Sequence, residues 1–228
     1  MTHYAFTFQG ETVHALASGA LYWPAQKLLC VSDLHFGKAQ RYAQGGASAL
    51  PPYETHDTLL RLDQEISTLQ PKTVICLGDS FDRVGASADM DAEACDWITR
   101  MQAGRMWVWI EGNHDPGPVG LGGTHLNEFT QGPLIFRHIA EDSLKESGEI
   151  SGHFHPKVTL HIRARAITRR CFCIDSQRII MPAFGTYTGG LSVHKEPLKS
   201  MMTEPVHCIL TGEVAQPILR KKAVRGAR

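Results

Sequence analysis

No stretch of this chain approaches the ~18 consecutive apolar residues of a membrane span. Its strongest apolar run, Met106–Ile110 (MWVWI), is the length of a strand. Met1–His14 lacks a basic segment leading into an apolar stretch, so no export leader is expected. None of the six cysteines stands in a CxxC pair. Without a leader they read as reduced thiols of a cytoplasmic protein rather than as a disulfide framework. Repeats, low-complexity tracts and a convincing linker are also missing. One domain over residues 1–219 is therefore expected, with a basic, flexible tail over 220–228. A hydrophobic share of 43% and a charged share of 20% exclude disorder as the main theme of the 228 residues.

Net charge is absent too, at +0, but the zero hides an asymmetry. Residues 1–156 carry 10 Lys and Arg against 19 Asp and Glu, whereas residues 157–228 carry 13 against 4. An acidic first part suits a bound cation and a basic last part an anionic partner, although mutual attraction of the two parts accounts for the split equally well.

The first half repeats a unit of buried strand, polar loop and helix. Tyr4–Phe8 and Val13–Trp23 read as opening antiparallel strands. Lys27–Ser32 (KLLCVS) is an apolar strand that runs into Asp33-Leu34-His35. Pro51-Pro52 starts a helix through Leu69, in which Leu59, Leu60, Leu62, Ile66 and Leu69 recur at helical spacing. Thr73–Leu77 runs into Gly78-Asp79, the helix Asp89–Ala103 follows, and Met106–Ile110 runs into Gly112-Asn113-His114-Asp115. Short strands dominate after residue 120, at 124–130, 134–138, 149–152, 157–166, 171–175 and 178–182, with a last pair at Val193 and His207–Leu210. This order argues for a parallel or mixed sheet covered by helices.

Each buried strand thus ends in a loop of metal-ligand residue types, and in open α/β sheets such loops converge on one crevice. Asp33 and His35 come first, then Asp79 and Asp82, then Asn113, His114 and Asp115. His138 and the His153/His155 pair of GHFHP follow. Because alternate residues of an extended segment point the same way, Asp33/His35 and His153/His155 are each expected to present both side chains on one side. Carboxylate or amide oxygens mixed with four imidazoles suit Mn²⁺, Fe or Zn²⁺ better than Mg²⁺ or Ca²⁺. A lone DxH or GD says little; the ordered set is far more specific.

With these blocks in place, Asp33-Leu34-His35, Gly78-Asp79-Ser80-Phe81-Asp82-Arg83, Gly112-Asn113-His114-Asp115, His138 and Gly152-His153-Phe154-His155, the sequence resembles the calcineurin-like metallophosphoesterase superfamily. The resemblance implies a four-layer α/β/β/α sandwich of two mixed sheets and two divalent metal ions, manganese first, with iron or zinc as the other candidates. It assigns Asp33, His35, Asp79 and His155 to one metal and Asp79, Asn113, His138 and His153 to the other. It makes His114 the catalytic acid or transition-state stabiliser, with Asp82 orienting it. SDLHFGKAQRYAQGG, LPPYE and FRH fifteen residues before GHFHP resemble, more narrowly, the bacterial ligase-associated DNA damage response endonuclease (PdeM) family. That likeness implies DNA cleavage in repair beside a DNA ligase and a helicase.

Lys38 and Arg41 follow the first ligand loop and are candidates to hold a substrate phosphate, or else occupy a solvated helix face. Lys157–Ala166 alternates, with Val158, Leu160 and Ile162 on one expected face and Lys157, His161, Arg163 and Arg165 on the other. That ribbon either holds a nucleic-acid backbone or is an ordinary exposed strand. Three functions stay open: a DNA phosphodiesterase, a phosphatase or phosphodiesterase on a small substrate, and a repair-complex adaptor with structural metals. His114 and Asp82, which structural metals do not require, speak against the adaptor.

Overall fold

The computed structural model describes residues 3–39, 53–117, 120–141, 148–163 and 165–220. Arg41 and the Pro51-Pro52 helix start lie outside the described residues. One mixed sheet has the order β1 (His3–Phe8), β2 (Glu11–Leu16), β3 (Leu21–Trp23), β4 (Leu28–Val31), β5 (Thr73–Leu77), β6 (Met106–Ile110) and β7 (Thr124–Leu126). Strands β4 to β7 are parallel, and β1 to β4 antiparallel. The expected strand over Val13–Trp23 is two strands, because Gly19 adopts φ 97° and turns the chain between them.

The second mixed sheet is built from β8 (Glu128–Gln131), β9 (Leu134–Arg137), β10 (Glu149–Ser151), β12 (Arg165–Ile174), β13 (Arg178–Ile180), β14 (His207–Leu210) and β15 (Gln216–Leu219). Its order is β15-β14-β12-β13-β10-β9-β8, with β11 (Lys157–Ile162) paired to β12 alone. β14 pairs with β12 and β15, so the expected pairing with Val193 does not form. The expected strand over 157–166 is broken at Arg163, whose φ is 46°; the chain turns there and β12 begins at Arg165.

The alternation of each strand explains the layering. Val13, Leu28, Ile75, Leu77, Val108 and Ile110 point from the first sheet onto Phe136, Ile150, Phe172 and Ile179 of the second, forming the central core. The opposite face of the first sheet, with Leu29, Val31, Val74 and Cys76, is covered by α1 (Glu54–Leu69) and α2 (Ala92–Gln102) through Leu59, Leu62, Ile66, Ile98 and Met101. α2 begins later than expected because Asp91 caps it, its carboxylate accepting from the Ala94 amide at 2.7 Å. The outer face of the second sheet is covered by a thin layer of Val193, α3 (Leu198–Met201), Met202 and Val206. Two mixed sheets between helical layers form the α/β sandwich expected.

The assignment of Arg220 to a flexible tail is corrected. Its side chain is buried and bonds the Val193 and Leu198 carbonyls and Glu204. Residues 221–228 lie outside the described residues. No helix among the described residues is long and apolar enough to cross a membrane.

Candidate active site

Parallel strands β4, β5 and β6 end side by side, and the loops that leave them zip together. The Asp33, His35 and Phe36 amides donate to the carbonyls of Gly78, Asp79 and Ser80, at 3.2, 3.0 and 2.9 Å. The third loop joins through Asp115, whose carboxylate accepts from the Phe81 and Gly112 amides, each at 3.1 Å. From the second sheet, His138 follows β9 and the GHFHP loop follows β10, the Gly152 amide donating to the His138 carbonyl at 2.9 Å.

Two clusters result. Asp33, His35 and His155 offer ligand atoms within 4.8 Å of one another, and so do Asp79, His138 and His153. Asn113 Oδ1 reaches the second cluster at 3.1 Å from His138 Nε2, which itself lies 3.3 Å from Asp79 Oδ2. The GHxH pair is therefore divided, one histidine to each cluster. The extended geometry expected for both ligand pairs is corrected. Asp33, His35, Asp79, His153 and His155 all adopt left-handed backbone, with φ of 54°, 49°, 44°, 66° and 47°. Extended strand would send neighbouring side chains past one another; these turns aim them inward. Such residues persist only where the surroundings hold them, and they concentrate at functional sites.

Outer contacts orient the ligands. The Ser32 hydroxyl donates to Asp33 Oδ2 at 2.6 Å, and the His153 amide to the same oxygen at 3.0 Å. His138 Nδ1 faces the Leu77 carbonyl at 3.1 Å. A carbonyl only accepts, so Nδ1 carries a proton and Nε2 is the nitrogen left to face Asp79 and Asn113. Sequence reasoning missed a further support. After β13 the chain passes beneath Asp33, with the Phe184 amide on the Ser32 carbonyl at 2.7 Å and the Gly185 amide on the Asp33 carbonyl at 3.0 Å. Its only sequence signal is the glycine-rich run FGTYTGG.

The donor set fits cations. Both ring nitrogens of His35 and Nε2 of His155 are buried without a hydrogen bond, although carboxylate oxygens stand 3.2 and 3.1 Å from His35 Nδ1 and His155 Nε2. Burial works against the Asp33 anion, yet His155, His138 and the Ser32 hydroxyl hold its pKa down to about 2. Burial likewise works against the His138 cation, yet Asp79 and Asp33 hold its pKa up at about 9. His153, half-buried and facing His138, is pushed down. Without an ion, the cluster neutralises its carboxylates with a proton on His138; a divalent cation would do so with neutral imidazole ligands.

His114 stands beside this centre. Its amide donates to Asp79 Oδ1 at 2.8 Å, and its ring meets that of His35 edge-on at 5.5 Å. The expected pairing of the Asp82 carboxylate with His114 is revised: His114 Nδ1 meets the Asp82 backbone carbonyl at 3.1 Å. Asp82 Oδ1 instead lies 3.2 Å from His35 Nδ1 and 3.9 Å from Lys38 Nζ. The three-residue step from Asp79 to Asp82 leaves the carboxylate buried behind His35 rather than behind His114. Lys38 is thereby placed at the back of the first cluster.

Fold and clusters together define a phosphoesterase with a two-metal site, and the comparisons agree. A sequence model of the calcineurin-like phosphoesterase family matches residues 26–170, more than half of the chain, and the chain belongs to that family. It is a metal-dependent phosphoesterase, and its family uses a dinuclear metal centre. The chain is similar to a solved Pseudomonas putida protein, nuclease MPE, with 30% identity and a TM-score of 0.75 over 95% of this chain and 100% of that one. No curated protein matches it.

Proposed function

We propose that this chain is a dinuclear-metal phosphodiesterase that cleaves DNA in the bacterial cytoplasm during repair, with one catalytic domain that runs through Arg220. The observation that carries the reading is two adjoining histidine–carboxylate clusters with the His114 amide bonded to Asp79 of the second. In this reading Asp33, His35, Asp79 and His155 hold one ion, and Asp79, Asn113, His138 and His153 the other. Manganese is the first candidate, and iron or zinc the others. When bound, the two cations supply the charge that activates water and neutralises phosphoryl oxygens during in-line displacement.

The protein's own residues do the rest. His114 keeps its Nδ1 proton on the Asp82 carbonyl, so Nε2 is the atom that gives a proton to the leaving oxygen. Asp82 positions His35 through its carboxylate and His114 through its carbonyl, and so acts as a positioning residue for both. Lys38 stabilises the buried Asp82 charge.

The similarity to a solved nuclease and the narrower resemblance support DNA as substrate, and the narrower resemblance alone supports a ligase and a helicase as partners. The test is reconstitution of metal-depleted protein with Mn²⁺, Fe²⁺ or Zn²⁺. Activity is then compared on bis(4-nitrophenyl) phosphate, 4-nitrophenyl phosphate and DNA oligonucleotides. Diester and DNA cleavage exceeding monoester cleavage is expected. Monoester preference with no DNA cleavage under any metal would replace this reading with a small-substrate phosphatase.

A further inference from the structure

The two sides of the site differ in charge. Beside Asn113 and His138 lies an open cleft of about 420 Å³ lined by Glu111, Glu128 and Glu141. The arginine there, Arg137, is committed to ion pairs with Glu128 and Glu141. Beside His155 the chain passes through Pro156 into the β11–β12 hairpin. No Asp or Glu occurs from Lys157 to Arg170.

The hairpin's register sorts its residues by face. Lys157 pairs with Arg170, Val158 with Arg169, Thr159 with Thr168, Leu160 with Ile167, His161 with Ala166 and Ile162 with Arg165. Lys157, Thr159, His161, Thr168 and Arg170 thus share one face, and Val158, Leu160, Arg165, Ile167 and Arg169 the other. The turn at Arg163 moves Arg165 off the face expected from simple alternation. The second face leans on the outer core through Val158 and Leu160.

The base of the first face meets the segment that supports Asp33. Arg170 donates to the carbonyls of Ala183 and Thr186, at 3.0 and 2.9 Å, in the same segment whose Gly185 amide supports Asp33. A methyl on Gly190 would collide with both the His155 carbonyl and the Lys157 side chain. Among the described residues, none from 159 to 169 is buried, and beyond Arg170 the hairpin pairs with no strand but itself. Packing of Val158 and Leu160 accounts for how the arm is seated, but not for its basic outer residues.

The geometry points to a phosphate track. Lys157, the Thr159 and Thr168 hydroxyls 2.9 Å apart, His161 and Arg163 at the turn bind successive phosphates of a DNA strand leaving the site past His155. The glutamate cleft repels the backbone on the opposite side. Six strand residues reach about 20 Å, several nucleotides of backbone. Lysine, arginine and hydroxyl contacts of this kind position a strand without reading its sequence. The inference rests on the DNA reading above.

The experiment measures fluorescence anisotropy of a labelled DNA oligonucleotide with metal-loaded His114→Ala protein over a KCl series. Adding Lys157→Gln with Arg163→Gln should flatten the log–log salt slope by about 1.4–1.8, two contacts at roughly 0.7–0.9 each. Adding Arg165→Gln with Arg169→Gln, on the opposite face, should leave the slope unchanged. Circular dichroism checks that both keep the fold. Equal flattening by the two pairs means diffuse charge, and flattening by neither means a solvated arm; either result overturns the track while leaving the DNA reading intact. Failure of the parent to bind DNA at any salt overturns both.

Discussion

The Asp79 carboxylate uses its two oxygens for different partners: Oδ1 accepts the His114 amide and Oδ2 faces His138 Nε2. Asp115, four residues beyond Glu111, instead spends both oxygens on loop amides, and burial pushes its pKa up to about 6. Asp79→Asn should therefore lower activity by more than the ~10–100-fold typical of losing a ligand's outer partner, whereas Asp115→Asn should stay within that range. Elemental analysis beside diester hydrolysis decides it; equal losses in both rate and metal would contradict the shared-ligand role of Asp79. His114→Ala should keep both metals and lose about 10²–10⁴-fold in rate, the range for a positioned acid–base group. Loss of metal instead would make His114 a ligand.

Each loop at the strand ends is shaped by its neighbours. A methyl on Gly112 would collide with the Asp79 amide and carboxylate, and one on Gly152 with the Ser32 hydroxyl. These glycines are required by close approach, since neither needs positive φ. Gly152→Ala should push the GHFHP loop off Asp33 and cost about 1–3 kcal/mol of stability through overpacking. It should also weaken metal binding, with β10 itself intact. Metal titration followed by calorimetry is the measurement; parental metal affinity would show that the loop yields without moving its histidines. The left-handed ligands add strain of about 1–3 kcal/mol each, which the amide ladder between loops 33–36 and 78–80 holds in place.

Across the whole molecule, charge compensation links the site to stability. With the metals removed, His138 has a pKa of about 9 against an ordinary 6.5. A raised pKa means its proton stabilises the folded state fully below pH 6.5, and that contribution fades as pH rises through about 9. The melting temperature of EDTA-treated protein should thus fall between pH 6.5 and 9.5, and added Mn²⁺ should restore it most at the alkaline end, where protons no longer compete. A melting temperature rising over that window would contradict the assigned electrostatics.

Local rules made much of this legible in advance. Apolar runs such as TVICL and MWVWI marked the buried strands because parallel strands covered on both faces lack polar alternation. The polar residues placed directly after them marked the ligands, since strand ends open on one crevice. All seven expected ligands lie at the two clusters. The direction each side chain takes was not legible, because the left-handed turns at Asp33, His35 and His155 depend on backbone hydrogen bonds to other loops. Nor was the Asp82 carboxylate's turn toward His35, the support from Phe184-Gly185, or the face change at Arg163. Local pattern was enough to mark the apolar strands, the residue types that can bind metal and the order in which they come. The left-handed turns that aim the ligands and the glutamate-lined cleft beside Asn113 came only with the folded chain, because both depend on distances between segments far apart in sequence.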